Sequence, residues 1–418
     1  MVEVLVLGLL CWLLCLTFAS YVYRISKSLM HPAFLILMFI AFFYIPKAIL
    51  NVSDGLLHFS YYYKYEVSAA SVTLAVVYLL LSVVAFFLGF LSACSVRSRF
   101  AFVSPMPAQR EMVFALSFSF AVSFYAFSGL LSSGVGDFFL SVASNRFEVF
   151  QDSGMAMLLL GCYKLSFLVY VWNFGGRKGW VVFALLWMPA LFFDAATGSR
   201  GKVVVENVAP VIFILSVRGH LKVNGLKVVV TASFLAYLSS QVTAYFRGGI
   251  DHAGGVLAHL RGPEFPYIDT LAFSIEKGLG PTWGQSILSA IFYPISWVFG
   301  VGVEGASSQF TREYFSSYYY PNKIEIAFSI LSESYISFGF FGVFIIFLYG
   351  WLVSWLFRVV INNGGGYLPV ILAFCLIRLV LLVRNDLFNN LIPVYFSLIY
   401  LSFLYFIMRL GGLVKNDR

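Results

Sequence analysis

What most constrains this chain is the recurrence of unbroken apolar runs, from MVEVLVLGLLCWLLCLTF at its start to FSLIYLSFLYFIM ending at residue 408. Runs of about 18 or more residues are long enough, as helices, to cross a hydrocarbon core of roughly 30 Å. Only 11% of the 418 residues are charged and 61% are hydrophobic. Soluble domains carry about a quarter charged residues, so most of this surface must face something other than water. A membrane β-barrel would instead alternate apolar and polar residues in segments of about ten. The expectation is an all-α polytopic membrane protein, one transmembrane domain over residues 1–418.

Spans are expected near 4–22, 33–50, 68–94, 111–132, 156–174, 180–196, 203–217, 228–246, 336–357, 367–383 and 389–408, about eleven in all. The first lacks a basic n-region and a small-residue cleavage site, so it reads as a retained helix rather than a secretory leader. Cys11, Cys15, Cys94, Cys162 and Cys375 all fall within or at the ends of apolar runs. Their spacing gives neither a disulfide framework nor a metal site. The net charge of +8 is scattered singly, without the basic stripe of a nucleic-acid binder.

Sidedness follows from the loops. The short connections at 23–31, 175–179 and 218–227, together with Arg110, Arg358 and the tail through Lys415, are basic, which makes them cytoplasmic by the positive-inside rule. The N-terminus then lies outside and the C-terminus inside. The outer loops are 51–67, 133–155, 197–202, the long segment 247–335, and 384–388. The two helices flanking 197–202 also fit a re-entrant pair.

The outer face therefore carries Arg146, Arg200, Arg247, Arg261, Arg312 and Arg384. Arginines at span ends snorkel to lipid headgroups as a matter of routine. Three of them, Arg200, Arg247 and Arg384, end helices on one face, which points to a shared anionic ligand.

Residues 247–335 form the one extended loop, large and periplasmic, with prolines at 263, 266, 281 and 294 that exclude a single long helix. Within it GQSILSAIFYPISWVFG (284–300) reads as a helix lying in the membrane interface or packed on the other loops; a twelfth span is the alternative. Tyr314, Phe315 and Tyr318 to Tyr320 suit sugar faces and a membrane interface equally well. At the loop's end SESYISFGFFG places Glu333 just before an apolar run, either solvated at a helix terminus or part of a polar site. In LVRNDLFNN, Asp386 either neutralises Arg384 or caps the following helix.

Three pieces, GSRGK after a mid-chain span, SESYISFGFFG entering a late span, and RND before NNLIPVYF, together with the span plan, resemble the O-antigen polymerase family of oligosaccharide repeat-unit polymerases (Wzy-type). The likeness covers about residues 110 to 410. It implies a GT-C-like glycosyltransferase of the bacterial inner membrane, with its active site facing the periplasm. Such an enzyme joins undecaprenyl-pyrophosphate-linked repeat units and needs no cofactor. Its partners are those lipid-linked glycans and membrane lipids, with a chain-length regulator as a further candidate.

Departure of a lipid pyrophosphate develops negative charge, and the outer loops show no DxD-like or His/Asp cluster to hold a metal. Guanidinium groups match phosphate oxygens with a rigid fork of donors. Arg200, Arg247 and Arg384 are the candidate clamp, with Arg261 and Arg312 behind them and Lys202 as a supplement. Glu333 is the first candidate base and Asp386 the second, with His252 and His259 as alternatives. The nearest rival, O-antigen ligase, typically has a histidine late in the large loop; here no histidine follows His259. A flippase or other transporter would place polar groups along a central cavity, and a scaffold would accept lysine at the outer arginines.

Overall fold

The computed structural model describes residues 2–59, 64–95, 109–128, 154–174, 187–188, 209–218, 267–317, 325–362 and 367–410. In chain order the elements are helix α1 (Val2–Ser26), helix α2 (Pro32–Asp54), strands β1 (Leu56–His58) and β2 (Lys64–Glu66), and helix α3 (Ala69–Ser95). Then follow α4 (Gln109–Ser128), α5 (Gly154–Phe174), α6 (Ala209–Val217), α7 (Tyr267–Glu276), α8 (Gln285–Val298) and α9 (Ala306–Tyr314). The chain continues through α10 (Ile330–Phe338), a tight turn at Gly339–Gly342, α11 (Val343–Asn362), α12 (Leu368–Val380) and α13 (Leu387–Leu410). The chain divides into two compact units. The first comprises Met1–Arg99, Asp251–Arg358 and Leu376–Ile392; the second comprises Phe100–Ile250, Val359–Cys375 and Pro393–Arg418.

Among the described residues four helical segments are long and apolar enough to cross a membrane: Val2–Ser26, Pro32–Asp54, Ala69–Ser95 and the interrupted pair Ile330–Asn362. Shorter apolar helices cover Met112–Tyr125, Leu368–Val383 and Leu387–Phe403. The expected span at 228–246, and that at 180–196 apart from residues 187–188, lie outside the described residues.

In the first unit, α1 shows how an all-apolar helix chooses a face. Its buried positions are Val4, Gly8, Cys11, Cys15, Ala19 and Val22, a stripe at steps of three and four that suits one helical seam. Val6, Leu9 and Leu13, equally apolar, are exposed. Small side chains mark the packed side, because α1 meets α2 and α3 closely there. Cys11 and Cys15 belong to this seam.

Helix α2 begins at His31, whose Nδ1 accepts from the Ala33 N–H at 3.1 Å. Burial and the nearby Arg358 hold this imidazole down at about 3, so it is a neutral cap. Pro32 at the first helical position needs no hydrogen-bond acceptor. Over Ile40–Tyr44 the helix widens into a π turn, whose extra residue re-aims the side chains that follow. Where 51–67 is expected as a plain loop, α2 runs on to Asp54, Gly55 turns the chain at φ 67°, and β1 pairs antiparallel with β2.

Helices α3 and α11 cross backbone to backbone. A methyl group at Gly89 would overlap the Phe347 carbonyl, and one at Gly350 the Phe86 carbonyl. Both positions require glycine for the close approach. The hairpin, α7 and α9 are drawn together by rings: Phe273 lies 5.4 to 5.6 Å from Phe59, Phe310 and Phe315. This cluster is the core of the described part of the long loop.

In the second unit α4 packs along α5, and α5 against α6. Ser119, Ser166 and Tyr400 join in one buried hydroxyl cluster, with Ser166 Oγ 3.0 Å from Tyr400 Oη. Apolar helices gain little from burying more hydrocarbon in lipid, so such polar contacts and small residues carry specificity.

Candidate carboxylate site

The expected span at 336–357 starts earlier, and the difference sets up the site. Ser329 caps α10 by accepting from Ser332 N–H at 3.4 Å, so the helix includes Glu333 and ends at Gly339 (φ 59°). One stripe of α10 is polar and sealed: Ser329, Ser332, Glu333, Ser334 and Ser337 have no solvent exposure. Thr270 Oγ1 of α7 meets Ser332 Oγ at 2.9 Å, and Tyr78 Oη of α3 meets Ser334 Oγ at 2.8 Å. The stripe is thereby hydrogen-bonded on two flanks, as burial of hydroxyls demands.

Glu333 reaches across to the start of α13. Its Oε2 accepts from the Leu387 N–H at 2.8 Å, while Oε1 is buried without a hydrogen-bond partner. Ser286 of α8 joins the same polar stripe, its Oγ 3.4 Å from Ser337 Oγ. A helix-terminal residue solvated at the interface is thus not what the geometry shows; Glu333 is interior.

Asp386 is also fully buried, and it caps rather than neutralises. Its Oδ1 accepts from Asn389 N–H at 3.0 Å, capping α13, and its Oδ2 accepts from Ser307 N–H at 2.8 Å in the first turn of α9. Two helix N-termini converge on one carboxylate, each contributing partial positive charge. Burial outweighs those donors and raises Asp386 above the ordinary carboxylate range. Gly305 makes room, since a Cβ there would stand 2.7 Å from Asp386 Oδ2.

Glu325 extends the acidic group. It accepts from Ser308 Oγ and, at 3.2 Å, from Asn389 Nδ2; burial raises it, with a smaller contribution from the charges of Asp386 and Glu304. Four acids from three stretches of chain therefore gather around the starts of α9 and α13.

The candidate arginines fare differently. Arg312 is exposed and its Nη1 lies 2.5 Å from Glu304 Oε1, a surface ion pair. Arg384 is half-buried in the turn ahead of Asp386 and has no ion pair with a described residue. Arg200, Arg247 and Arg261, with Lys202, His252 and His259, lie outside the described residues.

A second charged site escapes sequence reasoning. Lys47 Nζ of α2 lies 3.3 Å from Asp269 Oδ2 of α7, both without exposure, and Asn51 Nδ2 donates to Asp269 Oδ1. Lys47 and Asn51 share a helix face at i, i+4, just after the π turn. The signals were a lysine inside the apolar run FFYIPKAIL and an aspartate inside PYIDTLAF. Ionisable groups are thus not confined to span ends, where sequence reasoning puts most of them.

Comparison with known proteins finds no similar family model, curated protein or solved structure. The described fold is that of a helical, membrane-embedded protein with a buried carboxylate pair at the junction of α9, α10 and α13.

Proposed function

We propose that this chain is a lipid-linked oligosaccharide polymerase of the O-antigen polymerase type. It has about eleven spans of GT-C-like plan in a bacterial inner membrane, and it acts on the periplasmic face. The observation that carries the reading is Glu333: a buried carboxylate with one oxygen unengaged, one helix turn from the end of an interrupted span and beside the Arg384–Asp386 turn.

In this reading the acceptor sugar hydroxyl attacks the anomeric carbon of the donor. The hydroxyl proton passes to Glu333 Oε1 as the new glycosidic bond forms. The bond from the anomeric carbon to the pyrophosphate oxygen breaks, and the lipid pyrophosphate departs with the electron pair. Arg384, free of any described ion pair, meets that charge; Arg200 and Arg247 complete the clamp, with Arg261 and Arg312 behind them. Fixed cations in a partly dehydrated site stabilise such charge better than water does. Asp386, occupied by two helix ends, positions Glu333 and Arg384 rather than accepting the proton.

The test is the glycan profile of cells carrying Glu333→Gln or Arg384→Lys. Loss of the polymer ladder with retention of single-repeat glycan on lipid A supports a polymerase. Full ladders from both variants would remove the reading.

The buried Lys47–Asp269 pair favours one other class, a charge-coupled polysaccharide transporter, because intramembrane ion pairs often mark translocation paths. In that case Lys47→Met would abolish export of lipid-linked repeat units, and even single repeats would be missing from the cell surface.

A further inference from the structure

Helix α8 presents an apolar face that the described protein leaves bare. Leu288, Phe292, Ile295 and Phe299 recur at helical spacing and are each half exposed or more. The opposite edge faces inward: Ala290 is fully buried, Ser286 Oγ lies 3.4 Å from Ser337 Oγ on the buried polar stripe of α10, and the Tyr293 ring lies 5.1 Å from that of Phe388. The helix is therefore the layer between the carboxylate site and whatever covers its outer face.

Three observations say what that cover is. No charged residue occurs between Lys277 and Glu304, whereas the rims of protein interfaces are polar. Fourteen residues extend about 21 Å, too short to span a bilayer but suited to lying along one. The helix is also tied to a span-forming segment. Thr282 N–H donates to Ile336 O at 2.9 Å, pinning the start of α8 to the end of α10, directly before the exposed Phe341 and Phe344.

We propose that α8 is seated in one leaflet with its bare face against phospholipid acyl chains, forming the lipid-facing wall of the Glu333 site. A substrate carried on a lipid then reaches Glu333 from the side, past Ser286, without leaving the bilayer. The route, though not the lipid seat, rests on the polymerase reading.

The experiment uses full-length protein in phosphatidylcholine vesicles, with the photocrosslinking residue p-benzoylphenylalanine replacing Phe292, Phe299 or Tyr293 in turn. After illumination, intact mass should show a one-phospholipid adduct several-fold more abundant for positions 292 and 299 than for 293. Position 293 should instead crosslink to the peptide containing Phe388. Crosslinks from 292 and 299 to a second copy or to another protein, or lipid adducts no higher than at 293, would overturn the seat. For the route, Ile295→Glu should shorten the glycan ladder in cells while Ile295→Leu keeps it, with melting temperature checked for both. A full ladder from a folded Ile295→Glu protein overturns the route. A wild-type protein that makes no ladder defeats the polymerase reading and the route with it, but leaves the lipid seat to be judged by the adducts alone.

Discussion

Lys47 Nζ stands 3.3 Å from Asp269 Oδ2, and neither side chain touches solvent. The pair joins a span-forming helix, α2, to α7 of the long loop, across more than 200 residues of chain. Desolvating two charges costs several kcal/mol per ion, recovered only while both partners are present.

Removing one partner should accordingly be worse than removing both. Lys47→Met or Asp269→Leu alone is expected to cost about 3–5 kcal/mol, and the double variant less than either single one. Thermal unfolding of purified protein in detergent measures all three. If the effects add like those of independent sites, the two charges are not acting as a pair.

Asp386 ties the starts of α9 and α13 to each other. Asp386→Ala removes two caps, at about 0.5–2 kcal/mol each, while Asp386→Asn keeps an acceptor oxygen for one of them. The alanine variant should melt clearly below the asparagine variant. Equal melting temperatures would show that the caps contribute nothing to stability.

The Asp386 carboxyl also predicts a pH trend. Its folded value is raised by burial, so the folded state holds the proton more tightly than the unfolded chain. That contribution is complete below the unfolded carboxylate value of about 3.9 and is lost as pH rises through the folded value. Asp386→Asn should flatten this fall on the alkaline side of pH 4. An unchanged pH profile of the unfolding midpoint would contradict it.

His31 predicts the opposite slope. Its value is lowered to about 3, so protons bind the unfolded chain first, and stability falls as pH drops below about 6.5. His31→Asn retains a cap acceptor for Ala33 N–H and should remove that acid-side loss. Above pH 7 the two proteins should differ little.

At the α3–α11 crossing, Gly89→Ala and Gly350→Ala each place a methyl group on a backbone carbonyl that has no room to yield. Each should destabilise by about 1–3 kcal/mol, as overpacking does. Gly55→Ala, where nothing stands near the added carbon, should show only the smaller penalty of the left-handed turn. Melting curves that order the three otherwise would mean that the helices separate easily.

Sequence alone determined the solvent. A chain with 11% charge and long apolar runs has no means of satisfying its backbone in lipid except as helices, and the positions of α1, α2 and α3 follow from hydropathy to within a few residues. It also marked Glu333 and Asp386, because acids beside apolar runs are costly and therefore conspicuous. What it left undetermined was their partners. Asp386 was open between neutralising Arg384 and capping a helix, and only the packing of α9 beside α13 decides for capping, at two helices rather than one. Asp269, an acid among the apolar residues of PYIDTLAF, had no visible partner until α7 brought it to Lys47. Hydropathy is a property of each segment taken separately, whereas burial of a charge is set by a residue from a distant segment. The tertiary structure alone supplies that residue.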